Sequence, residues 1–372
     1  MGRALEKHCG EVINLGPLLP FSLRMGNLIG RATHVFFGRN HLHTHTLALS
    51  KKLGAMAEAR ILEEKCDIIF APAASAIVAH LRTQIPIVYL SDATLQLMVN
   101  YNPEFTGLSD SHVRAADQLE RSSIGRSTQL VYPSSWAADS AVRDYGACPS
   151  TVHVVPFGAN FESSPSRQEA LRTSRRDRCR LLFVGVSWEG KGGDIALETF
   201  FALERLGLNP ELTMVGCRPK KLPKHPNLIF IPFLNKNEPE ARERLRKLYQ
   251  DAHFFILPTR AECFGIALCE ANAFGLPVLT TRTGGVTEVV REGINGFFFP
   301  PEVRGDKYAE RIREIYEDPR AYDALRASSR EQFETRLNWD TWGESMNRIF
   351  RDIGTPSTHG IPHSVTPSAI RD

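Results

Sequence analysis

Residues 252–296 predict an α/β protein built on parallel sheet. Three features carry the prediction. Phe254–Leu257 is a short apolar run ended by Pro258. Ile266–Ala273 places Ile266, Cys269 and Ala273 on one side of a helix. Residues 277–281 form a second strand-like run, stopped by Gly284 and Gly285. Strand, helix and strand with turns between them is the punctuation of a βαβ unit. Ligands of such sheets bind at the carboxyl ends of the strands.

At 372 residues the chain is long enough for two substantial cores. Its 42% apolar and 23% charged content is ordinary for a soluble globular protein. A net charge of +3 is too small to argue for nucleic acid as a partner. The seven cysteines are scattered, with no pair at zinc-ribbon spacing, which fits thiols in a reducing compartment. The first residues lack a basic region followed by a sustained apolar run, and no apolar stretch of spanning length follows. Cytoplasmic residence is the expectation, with loose attachment to the inner face of a membrane left open.

In chain order, residues 12–15 and 35–37 read as strands, each stopped by glycine. His41, His43 and His45 alternate after the second. Alternation puts three imidazoles on one side of an extended segment, where they could bind a metal. No carboxylate or thiol joins them nearby, so they are read as exposed residues and no metal is expected. Residues 46–64 mix leucines with Lys and Glu as a surface helix does. Strands are expected at 68–71 and 85–90, with a short helix at 76–81. The 85–90 run is nearly all apolar and should be central and buried. Asp92 follows directly, at the carboxyl end of that strand, where chemistry tends to occur; helix capping explains an Asp there equally well. A loop at 101–110, a helix at 112–123, a strand at 130–132, a helix opened by Ser134 and Ser135, and a strand at 152–155 complete the first half.

Residues 161–180 break the composition with Pro165, serines and a cluster of arginines, and read as a solvated connector. A clean strand at 181–184 then leads into a glycine-rich loop from Gly185 to Asp194 and a helix at 195–206. Glycines there permit a tight turn and close approach of backbone to a ligand, and Lys191 can reach a phosphate at the helix end. The spacing fits neither the Walker loop nor the dinucleotide fingerprint. Strands at 211–215 and 228–231 and a charged helix at 239–249 precede the opening βαβ unit. A strand at 297–299, helices at 307–317 and after Pro319, and a last amphipathic helix at 339–350 follow. Residues 354–372 are rich in Ser, Thr, Pro and His and read as disordered.

Two carboxylates bracket the turn and helix of the βαβ unit. Glu262 precedes the helix and can face a crevice. Glu270 lies in an apolar stretch, where a carboxylate needs a partner. A ribose diol is one such partner and a buried arginine is another. Between them, Phe264, Gly265 and Ile266 open the helix, whose exposed N–H groups favour a phosphate.

From about Val152 to Trp342 the sequence resembles the retaining glycosyltransferases of family 4. Glu262 and Glu270 match that family's E-x7-E pair, residues 284–290 match its next motif, and 183–193 resemble the donor-phosphate loop of one subgroup. The resemblance implies a GT-B fold, two Rossmann-like domains with parallel sheets facing across a cleft. It divides the chain into an acceptor-side domain at 1–158, a linker at 159–180, a nucleotide-sugar domain at 181–336, a helix at 337–353 crossing back to the first domain, and the tail. It implies that Gly185, Lys191 and Gly192 hold the donor diphosphate. Glu262 with the backbone of Phe264, Gly265 and Ile266 would contact sugar and phosphate, Glu270 the ribose hydroxyls, and Glu288 would support the site. Lys191, Glu262 and Asp92 are the candidate catalytic residues.

The chain departs from the family in three places. Val186 stands where an arginine is usual, leaving Arg260 and Arg282 as candidate replacements. Ser91 and Asp92 stand where many members have a histidine. A Gly-Gly loop after the opening strand is not evident, which suggests a chain short at its N-terminus. The implied activity is transfer of a hexose from a UDP- or GDP-sugar to a saccharide or lipid-linked acceptor with retention, without a metal, in surface polysaccharide or glycolipid assembly. The alternatives are a catalytically weak homologue acting as a binding or partner subunit, and a sugar-nucleotide phosphorylase or hydrolase.

Overall fold

The computed structural model of the chain describes residues 1–16, 18, 45–172 and 176–354. Two parallel sheets organise it, consistent with the GT-B arrangement of two Rossmann-like domains. The first contains β1 (Ile69–Pro72), β2 (Ile87–Leu90), β3 (Gln129–Tyr132) and β4 (Val152–Val154), side by side in chain order. The second contains β5 (Cys179–Val184), β6 (Pro210–Val215), β7 (Leu228–Ile231), β8 (Phe254–Leu257), β9 (Val278–Thr281) and β10 (Gly296–Phe299).

The order in the second sheet is β10-β9-β8-β5-β6-β7. The chain moves outward from β5 to β7, returns to the other flank of β5 with β8, and continues outward to β10. Connection order therefore reverses between β5 and β8, which pair at Leu181 with Phe254 and at Leu182 with Phe255. A reversal of this kind is where a crevice opens outside the carboxyl ends of the strands of a parallel sheet. Every residue of β2, β8 and β9 is buried. Strands covered on both faces need such continuous apolar runs.

One core runs through both domains. It joins Val88, Leu90 and Val131 of the first sheet to Phe183 and Phe254 of the second, with Trp342 and Met346 between. The helix Trp339–Gly354 packs on the first sheet, where Phe70 meets Trp342 edge-on at 6.1 Å and Phe350 at 6.3 Å. Asp340 at its start holds Lys7 at 2.6 Å and His8 at 3.0 Å. A second core, including Ile61, Val78, Tyr89, Tyr132 and Ala141, fills the first domain under its helices.

Several sequence expectations are changed. Residues 12–15 form no strand; Val12 and Ile13 are exposed and no neighbouring strand pairs with them. The expected strand at 35–37, His41, His43 and the tail beyond residue 354 lie outside the described residues. His45 is described: its Nε2 is 3.4 Å from Ser75 Oγ, just before the helix Leu47–Glu63. The 161–180 segment is not a plain solvated connector. It contains the helix Arg167–Ala170, closed by a Ser166–Glu169 capping box, and β5 begins within it. Arg176 lies over the rings of Tyr316 and Tyr322 at 4.4 and 5.0 Å, and Arg178 bonds Glu211 at 3.2 Å. Those partners come from distant elements, so the local charge run could not reveal them.

Candidate active site

The loops that leave β5 and β8 meet at the crevice. Lys191 Nζ donates to Glu262 Oε2 at 2.7 Å and to the Ala261 carbonyl at 3.3 Å. The approach depends on Gly192, which has φ +70° and opens the helix Gly193–Arg205. A Cβ there would lie 1.9 Å from the Pro258 carbonyl oxygen, so a side chain would force the two loops apart. Arg260 forks onto Asp194 at 2.9 and 2.8 Å, and Arg304 reaches the same carboxylate at 2.9 Å. These contacts fix the β8 loop to the helix that follows Lys191.

The helix Ile266–Ala273 begins beside this pair, with Gly265 as its N-cap. Its first N–H groups lack intrahelical acceptors, and the helix dipole makes this end electropositive. Phe264 is buried just before it, with its ring 5.3 Å from that of Phe157. One turn into the helix lies Glu270, whose side chain is 1% exposed. It accepts from Lys236 Nζ and, at 3.1 Å, from the Tyr249 hydroxyl. Desolvation pushes its carboxyl above the usual range, and the Lys236 ammonium works against that rise. The partner of Glu270 is thus a lysine and a tyrosine rather than the arginine weighed from sequence. Lys236 comes from the loop after β7, with its ammonium 5.4 Å from the centre of the Phe161 ring.

The crevice brings together the Lys191 cation, the Glu262 carboxylate paired with it, the N-terminus of the helix Ile266–Ala273, and the buried Glu270 carboxylate. Residues 168–332 match the family model "Glycosyl transferases group 1". Over that segment the chain is similar to the group 1 glycosyl transferases. It is 29% identical to D-inositol 3-phosphate glycosyltransferase 1 of Catenulispora acidiphila over 249 residues, which cover 62% of this chain and 58% of that protein. The match therefore spans less than two thirds of the curated relative's length. Among solved structures, the chain resembles sucrose-phosphate synthase of Thermosynechococcus elongatus, with TM-score 0.63, 17% identity, and 82% and 78% of the two chains covered. It also resembles Anabaena HepE in complex with UDP and glucose, with TM-score 0.60, 18% identity, and 82% and 81% covered. At these identities the solved structures establish the GT-B fold.

The other residues singled out from the family pattern are placed as follows. Gly185 packs under Lys191, whose Cγ would be 3.0 Å from an added Cβ. Val186 is exposed at the rim of the same loop. Arg260 is committed to Asp194, and Arg282 stacks on Phe298 with its guanidinium 4.0 Å from the ring centre. Asp92 lies at the end of β2 and caps no helix; the N-cap of Leu95–Met98 is Thr94. Desolvation, and then the charge of Glu262 across the cleft, raise the Asp92 carboxyl above its usual range. Asp92 thus feels the charge of Glu262 from the other domain. Glu288 bridges the domains: its Oε2 accepts from Ser135 N at 3.2 Å and Ser135 Oγ at 3.0 Å. It binds the N-terminus of the helix Ser135–Tyr145 in the first domain.

Sequence reasoning missed Lys236, Tyr249 and Tyr101. Lys236 and Tyr249 contact Glu270, and Tyr101 reaches Glu262 from the first domain. The only available signal for the first two was that a buried Glu270 required some donor. Among the described residues, no group of three or more His, Cys, Asp or Glu could hold a metal, and no helix is long and apolar enough to cross a membrane.

Proposed function

We propose that the chain transfers a hexosyl group from a UDP- or GDP-sugar to a saccharide or glycolipid acceptor, with retention at the anomeric carbon. The observation that carries this reading is the Lys191–Glu262 pair at the switch-point crevice, beside the N-terminus of Ile266–Ala273. The chemical difficulty is negative charge accumulating on the departing diphosphate. Lys191 and the helix N–H groups meet that charge electrostatically. In this reading the diphosphate takes Lys191 from Glu262, which turns to the donor sugar, and the ribose hydroxyls take the place of Lys236 on Glu270. The bond from the anomeric carbon to phosphate oxygen breaks, and a bond to the acceptor oxygen forms on the same face. The acceptor proton passes to the departing phosphate oxygen, so no separate nucleophile is needed. Asp92 orients the acceptor hydroxyl from the opposite domain, and the closed cleft limits hydrolysis.

The glycosyltransferase activity of the relative from Catenulispora acidiphila and the UDP bound by Anabaena HepE support a nucleotide-sugar donor. Residence in the cytoplasm, at the inner face of a membrane, belongs to the same proposal; all seven cysteines are free thiols. Val186 favours a second reading, a homologue that binds nucleotide but turns over slowly, because the phosphate loop carries an exposed valine where the family has a second cation.

Calorimetric titration with UDP and GDP, then with UDP-glucose and GDP-mannose, tests the donor site. One nucleotide should bind saturably, and Lys191→Ala should weaken it roughly tenfold or more, as loss of a charge-assisted contact implies. Folded protein that binds none of the four would sink the proposal. Binding without turnover on any acceptor would favour the second reading.

A further inference from the structure

We infer that Tyr101 is a positioning residue that ties the acceptor-side domain to the peptide of Glu262, so that the Lys191–Glu262 arrangement is held only while the two sheets are drawn together. The inference rests on the donor-site reading above for its catalytic consequence, but its geometry stands apart from it.

Tyr101 follows the helix Leu95–Met98 in the first domain. Its hydroxyl accepts from the Glu262 N–H at 2.8 Å. The same oxygen lies 3.2 Å from the Glu262 carbonyl and 2.9 Å from Thr283 Oγ1. One phenol therefore meets both polar ends of the Glu262 residue and a hydroxyl from the loop after β9. The space for it exists because residue 284 is glycine. An added Cβ there would lie 2.4 Å from the Tyr101 oxygen and 2.0 Å from the Glu262 carbonyl oxygen, and φ is +51°.

The first domain holds the phenol in place. Its ring is tilted against Trp136 with centroids 5.3 Å apart. Asn100, immediately before it, has φ +60°, a left-handed conformation that costs a non-glycine residue free energy. The Asn100 N–H bonds the Phe105 carbonyl at 3.2 Å. Met98 and Cys263 sulfurs meet at 3.4 Å alongside. Burial raises the phenol's pKa, so the hydroxyl keeps its proton and its donor role. Glu262, fixed at its backbone by one domain, presents its carboxylate to Lys191 of the other.

Tyr101→Phe keeps the ring and removes the oxygen. Amide hydrogen exchange of the 258–265 segment, measured without ligand, reads the tie directly. Exchange at Glu262 should rise roughly tenfold, the effect of losing one buried hydrogen bond, while the two sheets keep their protection. In turnover, kcat should fall about tenfold with donor KM changed less than about threefold, and hydrolysis should grow relative to transfer. Unchanged exchange at Glu262 overturns the inference, as does a uniform rise across both sheets with a lowered melting temperature. A parallel fall of kcat and nucleotide affinity with unaltered hydrolysis also overturns it. Failure of the wild-type protein to bind any nucleotide would instead sink the donor reading, and the exchange measurement would still decide whether Tyr101 holds Glu262.

Discussion

Among the described residues each domain buries one glutamate, and the two are solvated by protein in different ways. Glu120 sits on the helix Asp110–Arg126, 5% exposed, with the Tyr89 hydroxyl 3.3 and 3.4 Å from its two oxygens and the Ser75 hydroxyl nearby. Burial pushes its carboxyl up to about 7, and the charge of Asp117 adds to the rise. Glu270 is at least as buried, yet it faces an ammonium as well as a phenol. Hydroxyls can satisfy the oxygens of a carboxyl group, but they do not supply the charge that lets it stay ionised in a dry interior. Glu120 is therefore built as a hydrogen-bonded acid inside a scaffold. Glu270 instead faces a cation carried by the loop after β7.

The largest expected effect comes from removing the cation. Lys236→Met should destabilise the protein by about 3–5 kcal/mol at neutral pH, because it leaves a buried carboxylate without a counter-charge. The cost should shrink as pH falls toward the ordinary Glu range near ~4.3, where the folded and unfolded states both hold the proton. Adding Glu270→Gln should restore most of the loss in urea melts. If the double variant is as weak as the single one, the charge is not what Lys236 supplies.

A smaller effect, opposite in origin, is expected at Glu120. Its folded pKa of about 7 lies above the free value of 4.5. Between those values the folded state keeps a proton that the unfolded state has released, so stability falls as pH rises through the window. The total loss should be roughly 3 kcal/mol, levelling off above neutrality. Glu120→Gln should flatten that dependence. A wild-type urea midpoint that is constant across the window would show that Glu120 is ionised in the fold and that the contrast with Glu270 is false.

The smallest effect lies beside Glu120. Tyr132 is wholly buried, and its hydroxyl has no hydrogen-bond partner among the described residues. Tyr132→Phe should be neutral or stabilising by up to about 1 kcal/mol, since an unpaired polar atom leaves the core. A loss of more than that in thermal melts would mean that this hydroxyl belongs to the network around Glu120.

Much of the fold was legible in local pattern. The bounds of β8 and of the helix Ile266–Ala273 follow from an apolar run ended by Pro258, and from a switch to helical spacing after Gly265. The residues at 12–15 misled because a run of four apolar-leaning residues makes a strand only where another strand accepts its hydrogen bonds. The arginines at 176 and 178 misled because their partners are Tyr316, Tyr322 and Glu211, far along the chain. Glu288 carried a motif, but its contact with Ser135 spans 153 positions and both domains.

The sequence by itself determined the parallel α/β class, the glycine-rich turns after β5 and β8, and the two carboxylates around a helix start. These are local properties: side-chain periodicity, backbone freedom at glycine, and unsatisfied N–H groups at a helix end. Only the tertiary structure decided that Lys191 lies on Glu262, 71 positions away, that Lys236 rather than an arginine sits on Glu270, and that Tyr101 reaches Glu262 across 161 positions. The first of those contacts depends on strand order, which reverses between β5 and β8 and brings their loops together, and the last depends on the meeting of the two domains; no periodicity connects either pair.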